Sequence, residues 1–295
     1  MNTDISFSPL IIGTMRLGEW GVNMNTNELE RFIDECIDLG LSDFDHADIY
    51  GHYTEEGRFG QVISRRPDLK NKIQITTKCG IKLITPNRPD HKVQSYDSTY
   101  DHIISSAHQS LKDICVDHID LLLIHRPDFL MDANEIARAF GDLRKAGKVK
   151  HFGVSNFTPD QFELLHAQIP LVTNQVEASI LHTAPFEDGT ITQCQRHHIV
   201  PTIWSPLGGG RLFTDTKDEQ VVRVRAVADQ ICQEHNCQLD QLLIAWLMKH
   251  PGGLIPVLGT TKINRIKTAL ESVKLNISHQ EWYELWVASK GAPVA

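Results

Sequence analysis

With 295 residues, 41% of them apolar and 22% charged, the chain has the balance of a folded globular protein and not of a disordered one. A net charge of -8 disfavours a nucleic-acid partner, whose phosphates need a basic surface, and no stretch approaches the ~18 apolar residues of a membrane span. The six cysteines contain no Cys-x-x-Cys and no regular spacing, so reduced thiols in a cytoplasmic protein are expected in place of a disulfide framework or zinc ribbon.

The start of the chain has no basic segment followed by a long apolar one, and a short hairpin around Ile5 to Leu10 is expected to cover one end of the fold. Leu10 to Gly13 then reads as the first buried strand. From Thr26 to Leu39, residues Leu29, Phe32, Ile33, Cys36 and Ile37 share one face of a helix that Gly40 stops. Leu41 to Asp45 is a second apolar run, ending on a carboxylate. The alternation continues with strands at Ile73 to Lys78, Ile119 to His125, Phe152 to Ser155, Val172 to Glu177, Pro201 to Ser205 and Leu254 to Leu258. Helical patterns lie between them at Glu55 to Arg65, Tyr100 to Ile114, Asn134 to Ala146, Pro159 to Ala167, Thr190 to Arg196 and Glu219 to His250, with Asn264 to Ser272 after the last strand. Gly80 to Thr99 has no clear periodicity and reads as a functional loop.

Such alternation means a closed barrel or a doubly wound sheet. No linker interrupts it, and barrels of roughly 250 residues often form one domain, so a single domain is expected. Polar residues collect where the apolar runs end: Asp45, Lys78, His125, Ser155, Asn156, Gln175, Glu177 and Ser205. In a barrel these ends meet at one mouth, and the absence of Gly-x-Gly-x-x-Gly after any strand weakens the open-sheet alternative.

Asp45, Tyr50, Lys78 and His125 make chemical sense together. A phenol with an ordinary pKa of about 10 is a poor acid at neutrality, and an adjacent ammonium draws that value down. Lys78 supplies the ammonium, Asp45 keeps it charged, and His125 either donates to a carbonyl oxygen as charge develops there or helps to set the proton relay with Tyr50. No side chain delivers hydride, so a nicotinamide is implied. Singly, each residue has an ordinary explanation as a strand terminus or a satisfied core histidine.

The segments FDHADIYG (44 to 51), TTKCG (76 to 80), LLLIHRPD (121 to 128), GVSNF (153 to 157), NQVE (174 to 177), WSPLGGGRL (204 to 212) and IPVLGTTK (255 to 262) resemble, in order, the aldo-keto reductases. HRPD and GVSNFTP look most like a bacterial YdhF-type oxidoreductase branch. The resemblance covers about Gly13 to Leu270 and implies a (β/α)8 TIM barrel that reduces aldehydes or ketones. It implies that Asp45, Tyr50, Lys78 and His125 form the catalytic tetrad, with Tyr50 as proton donor. Ser155, Asn156 and Gln175 would hold the nicotinamide carboxamide, with Gly13, Thr14 and Met15 also assigned to the cofactor. Ser205, Leu207, Gly209 and Arg211 would follow its pyrophosphate. Gly259, Thr260, Lys262 and Arg265 fall at the adenosine end, where a charged grip on a 2'-phosphate favours NADPH. Two positions depart from the family: His46 replaces a common Ser or Thr, and Ala269 replaces an Asn beside the adenine.

Two other readings stand beside this one. A metal-dependent barrel hydrolase draws on Asp45, His46, Asp48, Lys78 and His125 but lacks His-x-His at an early strand end, so no metal is assigned. A cofactor-sensing binding subunit, like the potassium-channel β subunits of the same fold, is compatible with a complete tetrad. The expected partner is a small carbonyl substrate, with no nucleic acid or membrane, and the sequence is compatible with a monomer. Trp20, Tyr53 and Phe129 are candidate pocket walls; the tail from Lys274 to Ala295 has no readable specificity pattern.

Overall fold

The computed structural model describes residues 5–215 and 217–295. In chain order its strands are Ile11–Gly13 (β1), Asp43–Asp45 (β2), Gln74–Cys79 (β3), Ile81–Lys82 (β4), Ser95–Tyr96 (β5), Ile119–Ile124 (β6), Val149–Ser155 (β7), Asn174–Glu177 (β8), Thr202–Trp204 (β9) and Ile255–Leu258 (β10). Eight of them close into a barrel in the order β1-β10-β9-β8-β7-β6-β3-β2, with parallel pairing such as Asp45 opposite Thr76 and Lys78 opposite Leu123. This is the (β/α)8 fold. The helices are Thr26–Asp38 (α1), the single turn Tyr50–Tyr53 (α2), Glu55–Arg65 (α3), Tyr100–Ile114 (α4), Ala133–Lys145 (α5), Pro159–His166 (α6), Ala184–Glu187 (α7), Thr190–His197 (α8), Arg211–Thr214 (α9), Glu219–His235 (α10), Leu239–Met248 (α11), Ile263–Glu271 (α12) and His279–Lys290 (α13). Among the described residues, none of these is long and apolar enough to cross a membrane.

Two compact units are distinguished by their internal contacts. The first runs to Gln175 and includes Gly259–Thr261; the second comprises Val176–Leu258 and Lys262–Ala295.

In the first unit, local chemistry starts the helices where the sequence pattern places them. Asn25 caps α1 by accepting from the Asn27 and Glu28 amides while Glu28 returns the bond to the Asn25 amide, and Thr158 with Gln161 repeats the device ahead of Pro159 in α6. β6 is buried on both faces, as a central parallel strand must be. Gly153 in β7 is required by close approach: a Cβ there would lie 2.7 Å from Leu123 Cδ2 and 2.8 Å from the Thr173 carbonyl oxygen.

The N-terminal expectation needs correction. No strand forms among residues 5–10, so no hairpin is present among the described residues. Ile5 and Phe7 pack against Leu121, Leu123 and Val172, and the Ser8 amide donates to Asp43 Oδ2 at 2.7 Å. Side chains satisfy this backbone, so a second strand is not needed.

The long helix expected from Glu219 to His250 is two helices. Asn236 adopts φ 49°, and the Cys237 amide donates to the Cys232 carbonyl at 3.0 Å, closing α10 before α11 begins. The tail forms α13, opened by a capping box between Ser278 and Glu281. Trp246 and Trp282 hold it to α11: their rings stack at 5.0 Å and 8°, and each indole donates to the other's carbonyl, at 3.1 and 3.0 Å. The 80–99 segment also has structure, since β4 and β5 pair as a small antiparallel ribbon, Ile81 opposite Tyr96.

Candidate active site

Strand ends in the first unit bring the predicted catalytic residues together. Lys78 Nζ donates to Asp45 Oδ2 at 2.6 Å, to the His46 carbonyl at 2.8 Å and to the Tyr50 hydroxyl at 3.2 Å. The parallel pairing of β2 with β3 produces this, because it sets Asp45 beside Thr76 and leaves Lys78 one side-chain alternation further on. His125 follows β6 directly and its amide donates to the Cys79 carbonyl at 2.8 Å; its ring meets the Tyr50 ring nearly perpendicularly at 6.2 Å.

Electrostatics assigns states to these groups. Lys78 is 1% exposed, and burial alone would strip its proton, but Asp45 and Tyr50 outweigh that and raise its pKa above the ordinary lysine value. For Tyr50 the balance differs from the sequence expectation: burial raises the phenol above 10, and Lys78 pulls it only part of the way back. The phenol therefore rests protonated. Burial, then Lys78 and Arg126, hold His125 well below its ordinary value, so it is a neutral imidazole. Its Nδ1 is buried without a hydrogen-bond partner.

His46 does not serve Lys78 through its ring; the main-chain carbonyl does that. The buried imidazole lies 3.1 Å from Thr14 Oγ1 through Nδ1 and edge-on to Phe59, and burial with the nearby Lys78 charge brings its pKa down to about 3. Thr14 Oγ1 also donates to the Asp45 carbonyl at 3.0 Å, while Met15 beyond it is exposed and Gly13 ends β1.

The three residues expected at a carboxamide form one polar cluster. Ser155 Oγ donates to the Gln175 carbonyl at 2.9 Å and accepts from Asn156 Nδ2 at 2.7 Å; Gln175 Nε2 donates to Asp45 Oδ1 at 3.0 Å. That last bond, tying the cluster to the tetrad, is not readable from sequence. A carboxamide needs both donors and acceptors, and a hydroxyl, an amide and the Gln175 Oε1 supply that mixture, so these residues fit a nicotinamide. Gly259 and Thr260 belong to the first unit.

In the second unit, Ser205, Gly208, Gly209 and Gly210 all take left-handed φ, with Leu207 between them, and a Cβ on Gly209 or Gly210 would meet open space. Arg211 Nη2 is paired with Asp218 Oδ2 at 2.6 Å. Lys262 stands at the N-cap position of α12 and Arg265 lies in its first turn, both exposed, whereas Ala269 is on the buried face. Two cations at a helix N-terminus oppose its dipole unless an anion sits between them.

Of the candidate pocket walls, Trp20 lies against Tyr50 with ring centroids 6.2 Å apart. Tyr53 instead supports the 80–99 segment, its hydroxyl donating to the Ile81 carbonyl at 3.1 Å and accepting from the Leu83 amide at 2.9 Å. Phe129 is 92% exposed and touches Tyr96. Among the described residues no group of three or more His, Cys, Asp or Glu side chains is arranged to hold a metal.

Sequence reading overlooked Glu56. Buried behind β3, it accepts from Thr77 Oγ1 at 2.5 Å and Ser110 Oγ at 2.9 Å, joining α3, β3 and α4; burial raises its pKa to about 7. The folded state thus binds its proton more tightly than the unfolded chain, so stability is lost as pH rises from about 4.5 through about 7. Glu56→Gln removes the buried charge, with its Oε1 accepting from one hydroxyl and its amide donating to the other, and is expected to stabilise the protein by roughly 3 kcal/mol at pH 8, with little effect at pH 4. Urea unfolding at the two pH values checks this; equal effects would contradict the assignment.

A model of the Aldo/keto reductase family matches residues 9–288. The chain belongs to the aldo/keto reductase family. It is an oxidoreductase of a family that acts on carbonyl groups with nicotinamide cofactors. It is 44% identical over 291 residues to the oxidoreductase YdhF of Escherichia coli, covering 98% of this chain and 95% of that one. It is 38% identical over 297 residues to a 6-dehydroglucose reductase of Agrobacterium fabrum, covering 100% and 98%. The crystal structure of the thermostable aldo-keto reductase Tm1743 with the inhibitor epalrestat has the same fold, with a TM-score of 0.79, 23% identity and 97% coverage of both chains.

Proposed function

We propose that this aldo/keto reductase reduces aldehydes or ketones to alcohols with NADPH, in the cytoplasm and as a single catalytic domain, with Tyr50 as proton donor. The observation that carries the reading is the buried contact series Asp45 to Lys78 to Tyr50, at 2.6 and 3.2 Å. When bound, the nicotinamide supplies the hydride that no side chain can. Ser155, Asn156 and Gln175 would hold its carboxamide. Gly13, Thr14 and Met15 would border it. The Ser205, Leu207, Gly209 and Arg211 segment would follow the pyrophosphate, and Gly259, Thr260, Lys262 and Arg265 the adenosine phosphate.

Neutral His125 donates its one N–H to the substrate oxygen, and Tyr50 gives up its proton as that oxygen gains charge. The Lys78 ammonium stabilises the phenolate left behind, and Asp45 holds Lys78 in place for this. The same groups run the oxidation in reverse.

Following the loss of NADPH absorbance across nitrobenzaldehyde, short aldehydes and 6-dehydroglucose, the substrate named for the Agrobacterium relative, tests the reading. Turnover with at least one of these is expected; none with any of them would favour a binding subunit. The choice of cofactor has its own test. Arg265→Ala is expected to weaken NADPH about 10- to 100-fold and NADH by less than about threefold, as read by fluorescence titration. Equal losses would remove Arg265 from the 2'-phosphate.

A further inference from the structure

Two of the six cysteines are set against each other by the way α10 ends. Asn236 takes φ 49°, the Cys237 amide donates to the Cys232 carbonyl at 3.0 Å, and the Asn236 amide donates to the Gln233 carbonyl at 3.3 Å. These two bonds make a Schellman motif, in which the side chains of the residues sharing the outer bond commonly meet. That contact is usually between two apolar groups; here it joins two thiols. Cys232 and Cys237 are both half-buried against the core of the second unit, and the Cys232 thiol donates a hydrogen bond to the Cys237 sulfur. Of the other cysteines, Cys36, Cys79 and Cys194 are buried, and the Cys115 thiol donates to the Lys112 carbonyl at 3.4 Å.

Cys237 is also within reach of a small molecule. It lines an open cavity of about 340 Å³ together with exposed Lys274 and with Glu271, whose carboxylate is bonded to Gln241 at 2.7 Å. Burial raises both thiols, Cys232 to about 12, while the bond from Cys232 offsets part of the rise at Cys237. Cys237 is therefore the sulfur that ionises first and attacks, and Cys232 is already placed to attack second. The catalytic scheme makes no use of either residue.

We propose that Cys232 and Cys237 form a reversible dithiol–disulfide couple, a modification site at which a low-molecular-weight disulfide oxidises the chain by closing a bond across the end of α10. The Cys237 thiolate attacks one sulfur of glutathione disulfide, forming a mixed disulfide and releasing a glutathione thiolate that takes up the proton Cys237 gave off. The Cys232 sulfur, losing its proton, then attacks Cys237 Sγ and displaces the second glutathione. Two cysteine thiols lose two electrons and two protons in all, and one glutathione disulfide becomes two glutathione thiols. Lys274 offers a counter-charge to the glutathione carboxylates during the exchange. The new bond closes a short loop between α10 and α11, which restricts the unfolded chain more than the folded one, so oxidation strengthens this part of the fold.

The bond can be read directly, because residues 226–249 form one tryptic peptide that holds both cysteines. The full chain is incubated with excess glutathione disulfide, denatured, alkylated, digested and weighed by mass spectrometry. Wild-type protein is expected to give that peptide unalkylated and about 2 Da lighter than its reduced form, with dithiothreitol reversing the change. Cys232→Ser is expected to stop at a glutathione adduct on Cys237, and Cys237→Ser to leave Cys232 free for alkylation. Thermal unfolding of the oxidised wild-type protein is expected about 3–6 °C above that of the reduced protein, a shift absent from both variants. A wild-type peptide that stays fully alkylated, or that carries glutathione without an internal bond, overturns the couple. A bond that forms with no rise in Tm overturns its stabilising effect. Both readouts are independent of turnover, so neither outcome bears on carbonyl reduction.

Discussion

Replacing Tyr50 by Phe is expected to lower kcat/KM for a reactive aldehyde about 10²- to 10⁴-fold while NADPH binding is retained. The variant removes one oxygen from a phenol that contacts Lys78 at 3.2 Å and leaves the ring against Trp20 and His125. The left-handed turn that follows is not altered, so the polar cluster of Ser155, Asn156 and Gln175 should stay in place. Burial holds the phenol protonated, so it has a proton to give but is a weaker acid than a free phenol until the substrate oxygen gains charge. Steady-state kinetics with nitrobenzaldehyde and a fluorescence titration with NADPH separate the two properties. Undiminished turnover would remove Tyr50 from the role of proton donor.

Lys78→Met is expected to abolish measurable turnover and to destabilise the fold by about 3–5 kcal/mol. The stability loss comes from Asp45, which is 3% exposed and would keep only the Gln175 amide of its two side-chain partners. A double variant, Lys78→Met with Asp45→Asn, removes the stranded charge and should recover most of that loss with no recovery of activity. Denaturant unfolding of the three proteins, beside their kinetics, distinguishes the ion pair as catalytic equipment from the ion pair as scaffold. Activity in Lys78→Met would mean that the phenolate is stabilised by something else, and Arg126 is the next cation near Tyr50.

Much of the fold was legible because its signals are local. The α3 and α4 boundaries, Glu55–Arg65 and Tyr100–Ile114, coincide with the apolar periodicity, and all eight barrel strands fall on apolar runs. The errors arose where an end of the chain or a break depends on partners elsewhere. The break at Asn236 needs only one left-handed residue, which Asn allows without announcing it. The N-terminal hairpin failed because Asp43 and the packing of Ile5 and Phe7 satisfy that segment instead. α13 was missed because its apolar stripe is weak and its anchor is a reciprocal pair of tryptophans remote in sequence.

The sequence by itself determined which residue types stand at the strand ends, and hence the family and the candidate tetrad with Tyr50 among them. Residue type and strand period are properties of a single segment, so one chain read in order reveals them. Only the tertiary structure decided what those residues do to each other. It set Lys78 between Asp45 and Tyr50, tied Gln175 to Asp45, placed the His46 ring against Thr14 and left Nδ1 of His52 unpaired. Each of these depends on burial and on distances across strands, where a low local dielectric makes a few ångströms decide a protonation state.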